Sequence, residues 1–389
     1  MDEPCKDPRA ASAESRAGLA MDVLAMRPAD GIPAWMVHTM DAEFIEQTAG
    51  VPPGGFARDP QRVYTDFQVR AGACFIDQFI PDNVLSMTDH GYANGTSRNA
   101  TTGIEQVILD GMAIDSPEAV VEHMERFLFP ARQVEIQAQA SDEDRLVAEL
   151  IARERRVQTI FGDDILKGPY DGFGSMPRLL YGRYGYGNYF MAYALFPEVM
   201  ARDFAQQAEL AILRNRAAAR AILDGGLPRV VRLDHDIADS RGTLVDIKSL
   251  DRIWMPHLAR SIQPLLSAGI RPIWHCDGNL MAMVPRLLEV GIGGFQGFQY
   301  ENGMDYPAIC RMKTRDGDGL LIIGGVSVTR TLPFGSPQDV RDEMKWLVEN
   351  GPRIGLMLGA SSSIAPNTSR QNILTFVEGL HYYRTHGRN

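Results

Sequence analysis

The chain has 389 residues, 45% of them hydrophobic and 23% charged, and a formal net charge of −10. This mix excludes a disordered, collagen-like or coiled-coil protein, and a chain of this length buries roughly three quarters of its unfolded surface without staples. The acidic balance is a poor bulk match for nucleic acid or an anionic membrane, although it leaves room for a local basic pocket that takes a small anion.

Four cysteines, Cys5, Cys74, Cys276 and Cys310, are too few for a disulfide framework and lack paired metal-knuckle spacing. They fit a reducing, cytoplasmic setting and most simply fill the core. The opening residues MDEPCKDPRAASAESR hold no apolar stretch of the kind a secretory signal needs, and no apolar run reaches membrane-spanning length. A soluble intracellular protein is expected.

In chain order, an amphipathic helix is expected over residues 17–26, followed by IPAW and the helical segment MDAEFIEQTAG. Asp59 and Pro60 open a helix in RDPQRVYTDFQVRAG, with Asp as N-cap and Pro in the first turn. ACFIDQFI has strand character, and a weaker strand is expected near Val107 to Leu109. Asp115 or Ser116 caps DSPEAVVEHMERFL, and ASDEDRLVAELIARERRV is a helix with acids early and arginines late. VQTIFGDD reads as a strand and turn around Ile160, and GYGNYF as a packing turn. From Tyr184 onward helices alternate with strands centred on Val231, Ile273, Phe295, Ile322 and Met357.

Sustained alternation fits a doubly wound sheet or a barrel. The strand count, and the lack of a GxGxxG turn after the first strand, favour an α/β (β/α)8 TIM barrel. Residues 1–70 would be an N-terminal helical extension and 71–389 the barrel.

The active site of a barrel lies at the C-terminal ends of its strands. Polar residues gather at those ends here, among them Asp77, Asp163, Asp234, Asp236, His275, Asp277, Gln299, Glu301, Ser327 and Ser362. Side chains alternate faces along a strand. Arg232, Asp234 and Asp236 therefore share one face, and His275 and Asp277 another, with Cys276 behind them. Simpler readings stand beside these: hydrogen-bonded pairs at strand ends, Asp236 as a turn cap, Glu301 as a cap for the helix near Asp305, and serines bonding loop backbone.

The stretch from Leu233 to Tyr383 resembles the uroporphyrinogen decarboxylase superfamily, through LDHDIADSRGTLVDIKSLDRIWMPHL, IRPIWHCDGNLMAMVPRLLEVGIGGFQGFQYENGMD, LIIGGVSVTRTLPFGSPQDVRDEM and IAPNTSRQNILTFVEGLHYY. IPAWM, RAGACFIDQFIP and YGNYFMAYALFPEVM match more loosely. The resemblance implies a (β/α)8 barrel and either the decarboxylase of haem biosynthesis or zinc-dependent methyl transfer linked to cobalamin. In the decarboxylase, two arginines bind the substrate carboxylates; His38 and Ala42 stand in their places. In the methyltransferases, zinc is held by His-x-Cys after the fifth strand and a Cys after the eighth. Asp277 and Ser362 stand where those thiols would be, and Ser327 replaces the family's Asp after the seventh-strand Gly pair.

The resemblance thus points to a methyltransferase or demethylase acting on a small methylated substrate, for example a methoxylated one. The methyl acceptor would be a folate, or a corrinoid on a separate partner protein, since no DxHxxG stretch is present. Asp236, His275 and Asp234 are the expected catalytic residues, and His38, Asp77, Gln299, Ser327 and Ser362 the expected substrate contacts. A hard zinc site of His275, Asp277 and Glu301 and a metal-free hydrogen-bonded pocket are both open. Two other readings are a lyase, with Arg232 or Arg241 holding a small carboxylate, and a non-catalytic binding protein. A homodimer is the commonest assembly for such a chain.

Overall fold

A computed structural model describes residues 15–82 and 107–388. Cys5 and the leading segment 1–14 lie outside the described residues. The strands in chain order are β1 (Phe75–Ile76), β2 (Ile108–Leu109), β3 (Met112–Ala113), β4 (Leu166–Lys167), β5 (Val230–Asp234), β6 (Ala238–Asp239), β7 (Gly242–Thr243), β8 (Arg271–His275), β9 (Gly294–Gln296), β10 (Leu321–Val326) and β11 (Leu356–Ala360). A five-stranded parallel sheet runs β11-β10-β9-β8-β5, and β1 pairs in parallel with β4.

A short segment ahead of residue 71 joins these two sheets. Ala34 bridges Leu358 of β11, and Trp35 bridges Phe75 of β1. Trp35 N–H donates to Leu358 O at 2.7 Å, and Cys74 N–H to Ala34 O at 2.8 Å. Parallel pairing therefore runs unbroken along an arc from β5 through β8, β9, β10, β11, residues 34–35 and β1 to β4. No strand pairing among the described residues joins β4 to β5. The architecture is mixed α/β with parallel strands and many helices, as expected, but backbone strand pairing among the described residues does not close it into a barrel. Side chains pack the seam instead. A Cβ on Gly174 would stand 2.7 Å from Leu233 Cδ2 and 2.9 Å from Val231 Cγ1, so only glycine lets this loop lie against β5.

Two expected strands take other forms. Ile160 lies in the helix Glu143–Phe161, which buries Val147, Leu150, Glu154, Val157 and Phe161. That spacing of three and four residues is helical and outweighs the local β-branched content. The strand on this side of the arc is β4, six residues further on. Residues 107–109 belong to the antiparallel hairpin β2–β3. Its two-residue turn is Asp110-Gly111, with φ of 50° and 77°, the left-handed pair that such hairpins demand.

Local chemistry fixes the helix boundaries. Asp59 caps Pro60–Arg70, Ser116 caps Pro117–His123, and Asp246 caps Ile247–Ile253, each accepting a backbone N–H. The long segment after β5 breaks between Ile253 and Met255, and the second piece, Met255–Ser267, carries Pro264 inside it. GYGNYF is not a turn: Tyr186–Leu195 is a helix, opened at Gly185. No helix of the described residues is long and apolar enough to cross a membrane.

Candidate active site

Parallel register brings the C-terminal ends of β5 and β8 together, with Asp234 paired to His275. Asp236 follows two residues beyond, and one ligand atom from each of Asp234, Asp236 and His275 lies within 4.8 Å of the others. His275 is buried, Asp234 half-buried and Asp236 exposed. His275 Nδ1 lies 3.2 Å from the Gln296 carbonyl oxygen. A carbonyl only accepts, so Nδ1 carries the proton and Nε2 remains available to a ligand.

Asp234 is held from two sides. Tyr170 Oη donates to its Oδ2 at 2.9 Å, and Arg232 Nη1 donates to the same oxygen at 2.9 Å. Burial alone would raise this carboxyl, but His275, Arg232 and the Tyr170 hydrogen bond outweigh it and hold Asp234 below the usual carboxylate range. Arg232 is itself buried, and its Nε donates to Asp77 Oδ2 at 2.6 Å. Trp35 Nε1 donates to Asp77 Oδ1 at 3.2 Å, and the guanidinium carbon lies 4.5 Å from the Tyr170 ring centre and 5.6 Å from that of Trp35. This network runs from β1 and the segment after β4 to β5, across the seam that backbone strand pairing leaves open.

The donors that converge are Asp234, Asp236 and His275, rather than the expected set His275, Asp277 and Glu301. Strand alternation ends at His275, and the chain turns at Gly278, whose φ is 89°. Asp277 is consequently engaged by Gln299 Nε2 and Ser362 Oγ, each at 3.2 Å, and its N–H donates to Asp236 Oδ1 at 3.2 Å. Burial raises the Asp277 carboxyl, against the pull of His275 and with the push of Asp236. Glu301 accepts from Ser327 Oγ at 2.6 Å and from Thr329 Oγ1. It does not cap the following helix; Asp305 does, accepting from Ala308 N–H.

The remaining expected contacts fall into two groups. Asp77 belongs to the Arg232 network, and Gln299 and Ser362 surround Asp277. His38 is half-buried nearby, its Nδ1 3.2 Å from Ser363 Oγ. Burial, with Arg232 adding, pushes its pKa down to about 4. Ser327 sits apart, between Glu301 and Glu343; its N–H donates to Glu343 Oε1 at 2.8 Å. Burial pushes Glu343 up to about 7. Cys276 is no ligand: its Sγ accepts from Ile237 N–H at 3.4 Å, and burial pushes the thiol up to about 12. The two arginines considered for a substrate carboxylate already have partners, Arg232 with Asp77 and Asp234, and Arg241 with Asp239.

Tyr170, Trp35 and Glu343 went unnoticed in the sequence. Tyr170 was findable once β4 is placed at residues 166–167, because it then lies just past a strand's C-terminal end. Trp35 stands in IPAW, which carries no strand signature beyond its apolar character. Glu343 lies on the exposed-looking helix Pro337–Asn350, and nothing local marks it.

No protein-family model and no curated protein matches the sequence. Solved structures do. A methyltransferase from Methanosarcina mazei superimposes with a TM-score of 0.52 at 14% identity, over 95% of this chain and 99% of that one. A chain described as a vitamin-B12 independent methionine synthase from Listeria monocytogenes overlaps 61% of this chain and 68% of its own at 18% identity; its TM-score of 0.35 is too low to bear on the fold. The fold shared with the first spans nearly all of both chains.

Proposed function

We propose that the protein is a methyltransferase resembling the uroporphyrinogen decarboxylase superfamily, its arc of parallel segments forming a (β/α)8 ring. It would take a methyl group from a small methylated substrate, such as a methoxylated compound, and pass it to a folate or to a corrinoid on a partner protein. The observation that carries this reading is the convergence of Asp234, Asp236 and His275 at adjacent parallel strand ends. The fold similarity to a methyltransferase is consistent with it. His38 and Ala42, in place of cationic side chains, disfavour a polycarboxylate substrate.

The donor set fits a divalent cation such as zinc: one imidazole nitrogen and two carboxylates are three protein ligands, which leaves a position for substrate. The chemistry such an ion supplies is Lewis-acid polarisation of the atom from which the methyl group leaves. The chain's own residues prepare the site. The Gln296 carbonyl fixes the His275 ring, and Tyr170 with Arg232 fixes Asp234. Asp77, itself held by Trp35 Nε1, accepts from Arg232 and fixes the guanidinium that reaches Asp234. Asp236 is exposed at the mouth, where its Oδ1 accepts the Asp277 N–H and its other oxygen would meet an entering ligand.

Metal analysis of the purified protein and of His275→Ala, together with methyl transfer to cob(I)alamin from a panel of methoxylated compounds, tests the proposal. About one equivalent of divalent metal is expected in the wild type and little in the variant. Substrate-dependent methylcobalamin should form with the wild type only. Metal-free protein in both preparations and no methylcobalamin from any donor would overturn the reading. Carbon dioxide release without a methyl acceptor would replace it with the lyase.

A further inference from the structure

A concavity of about 990 Å3 lies at the end of the arc opposite the candidate active site, where strands begin and helices end. It is lined by Arg229, Arg271, Lys313, Arg315 and Arg353, against the two carboxylates Asp316 and Asp318. In a chain of net charge −10, this local excess of cations runs against the bulk composition.

Glycines bring the guanidinium groups close to the backbone floor. A Cβ on Gly269 would stand 3.7 Å from Arg229 Nη1, one on Gly293 3.1 Å from Arg271 Nη1, and one on Gly291 3.4 Å from Arg315 Cζ. Some of this charge serves the fold. Arg271 Nη1 donates to Gly293 O at 3.0 Å and Gly319 O at 3.2 Å. Arg315 Nη1 donates to Val290 O at 3.4 Å, at a helix C-terminus where the macrodipole favours a cation, and its Nε lies 3.7 Å from Asp316. Arg229, Lys313 and Arg353 have neither an acceptor nor a carboxylate partner for their side chains among the described residues. Three unpaired cations beside two anchored ones, around one cavity, create a positive potential that fixed carbonyls do not consume.

We propose that this concavity binds a small polyanion, a molecule carrying two or more phosphate or carboxylate groups, at a site separate from the candidate active site. Clustered arginines match phosphate and carboxylate oxygens in forked geometry, and a single monovalent anion would leave most of them unmatched. The inference does not depend on the methyl-transfer reading, because none of its residues lies at the C-terminal strand ends.

Calorimetric titration of the full chain with inorganic pyrophosphate, and separately with citrate, tests it in three proteins: wild type, the Arg229→Ser/Arg353→Ser double variant, and Asp234→Asn. Saturable binding of at least one of the two is expected, weakened about tenfold or more in the double variant and unchanged in Asp234→Asn. The tighter binder identifies the phosphate or carboxylate source. Arg229 and Arg353 are exposed, so the double variant should melt like the wild type. Absence of saturable binding by both ligands would overturn the proposal. So would binding that survives in a folded double variant, or binding that Asp234→Asn alone abolishes.

Discussion

Burial sets the protonation of two histidines that flank the candidate site. His235, the residue just past β5, is buried, stacks on Tyr181 at 6.2 Å between ring centres and accepts Leu179 N–H at Nε2, 2.9 Å away. Burial, with Arg178 adding, pushes its pKa down to about 3, and that of His38 is down to about 4. The unfolded chain therefore takes up these protons before the folded one does. Their contribution to stability is full above about pH 6.5 and is lost as pH falls toward 4 and below. His235→Gln keeps an acceptor for Leu179 without a titrating ring. Melting temperatures taken from pH 7.5 to 4 should fall less steeply for this variant than for wild type; parallel slopes would sink the explanation. Glu343 has the opposite sign. Burial holds it up at about 7 against an ordinary 4.5, so its contribution is full at acid pH and lost as pH rises through 7. Strand parity in the sequence foresaw that Arg232 and Asp234 face one way and His235 the other. It gave no hint that Tyr170 or Asp77 would meet them, because those contacts span 64 and 155 residues.

Among the elements, those with strong local chemistry are the ones that sequence reading places well. The helix Pro337–Asn350 is an example. Ser336 accepts Asp339 N–H while the Asp339 carboxylate accepts Ser336 N–H, a reciprocal capping box, with proline in the first turn. Ser336→Ala should cost about 1 kcal/mol in a denaturant titration, with unchanged activity, since the cap is exposed and away from Asp234. Two short parallel segments escape a sequence reading. β4 and the bridging pair 34–35 are too short to show any period, and partners far along the chain define them. The helix Glu143–Phe161 runs past its expected end for the converse reason. VQTIF looks like a strand in isolation, and only the buried stripe beginning at Val147 reveals that the helix continues.

At the scale of the whole molecule, a buried ion pair ties β5 to the residue just past β1, beside the seam between β4 and β5 that backbone pairing leaves open. Arg232 and Asp77 are 4% and 3% exposed in their side chains, and Arg232 also reaches Asp234. Replacing Arg232 by Met would leave Asp77 as a buried charge without its cation. A loss of about 3–5 kcal/mol is expected in chemical denaturation, larger than that of Asp234→Asn, because Asp234 is half-exposed. Equal, small losses for the two variants would show that packing alone holds the seam. The sequence by itself determined the alternation of helices and strands, the caps of the helices that begin at residues 60, 117 and 337, the faces of β5, and the shortage of thiols near His275. These are local properties, set by period, turn chemistry and residue type within a dozen positions. Tertiary structure alone decided which carboxylates join His275, that Asp277 and Glu301 bond elsewhere, where the arc stays unpaired, and that five cations of an acidic chain surround one cavity. Those outcomes depend on register between strands far apart in the chain, and no local pattern encodes that register.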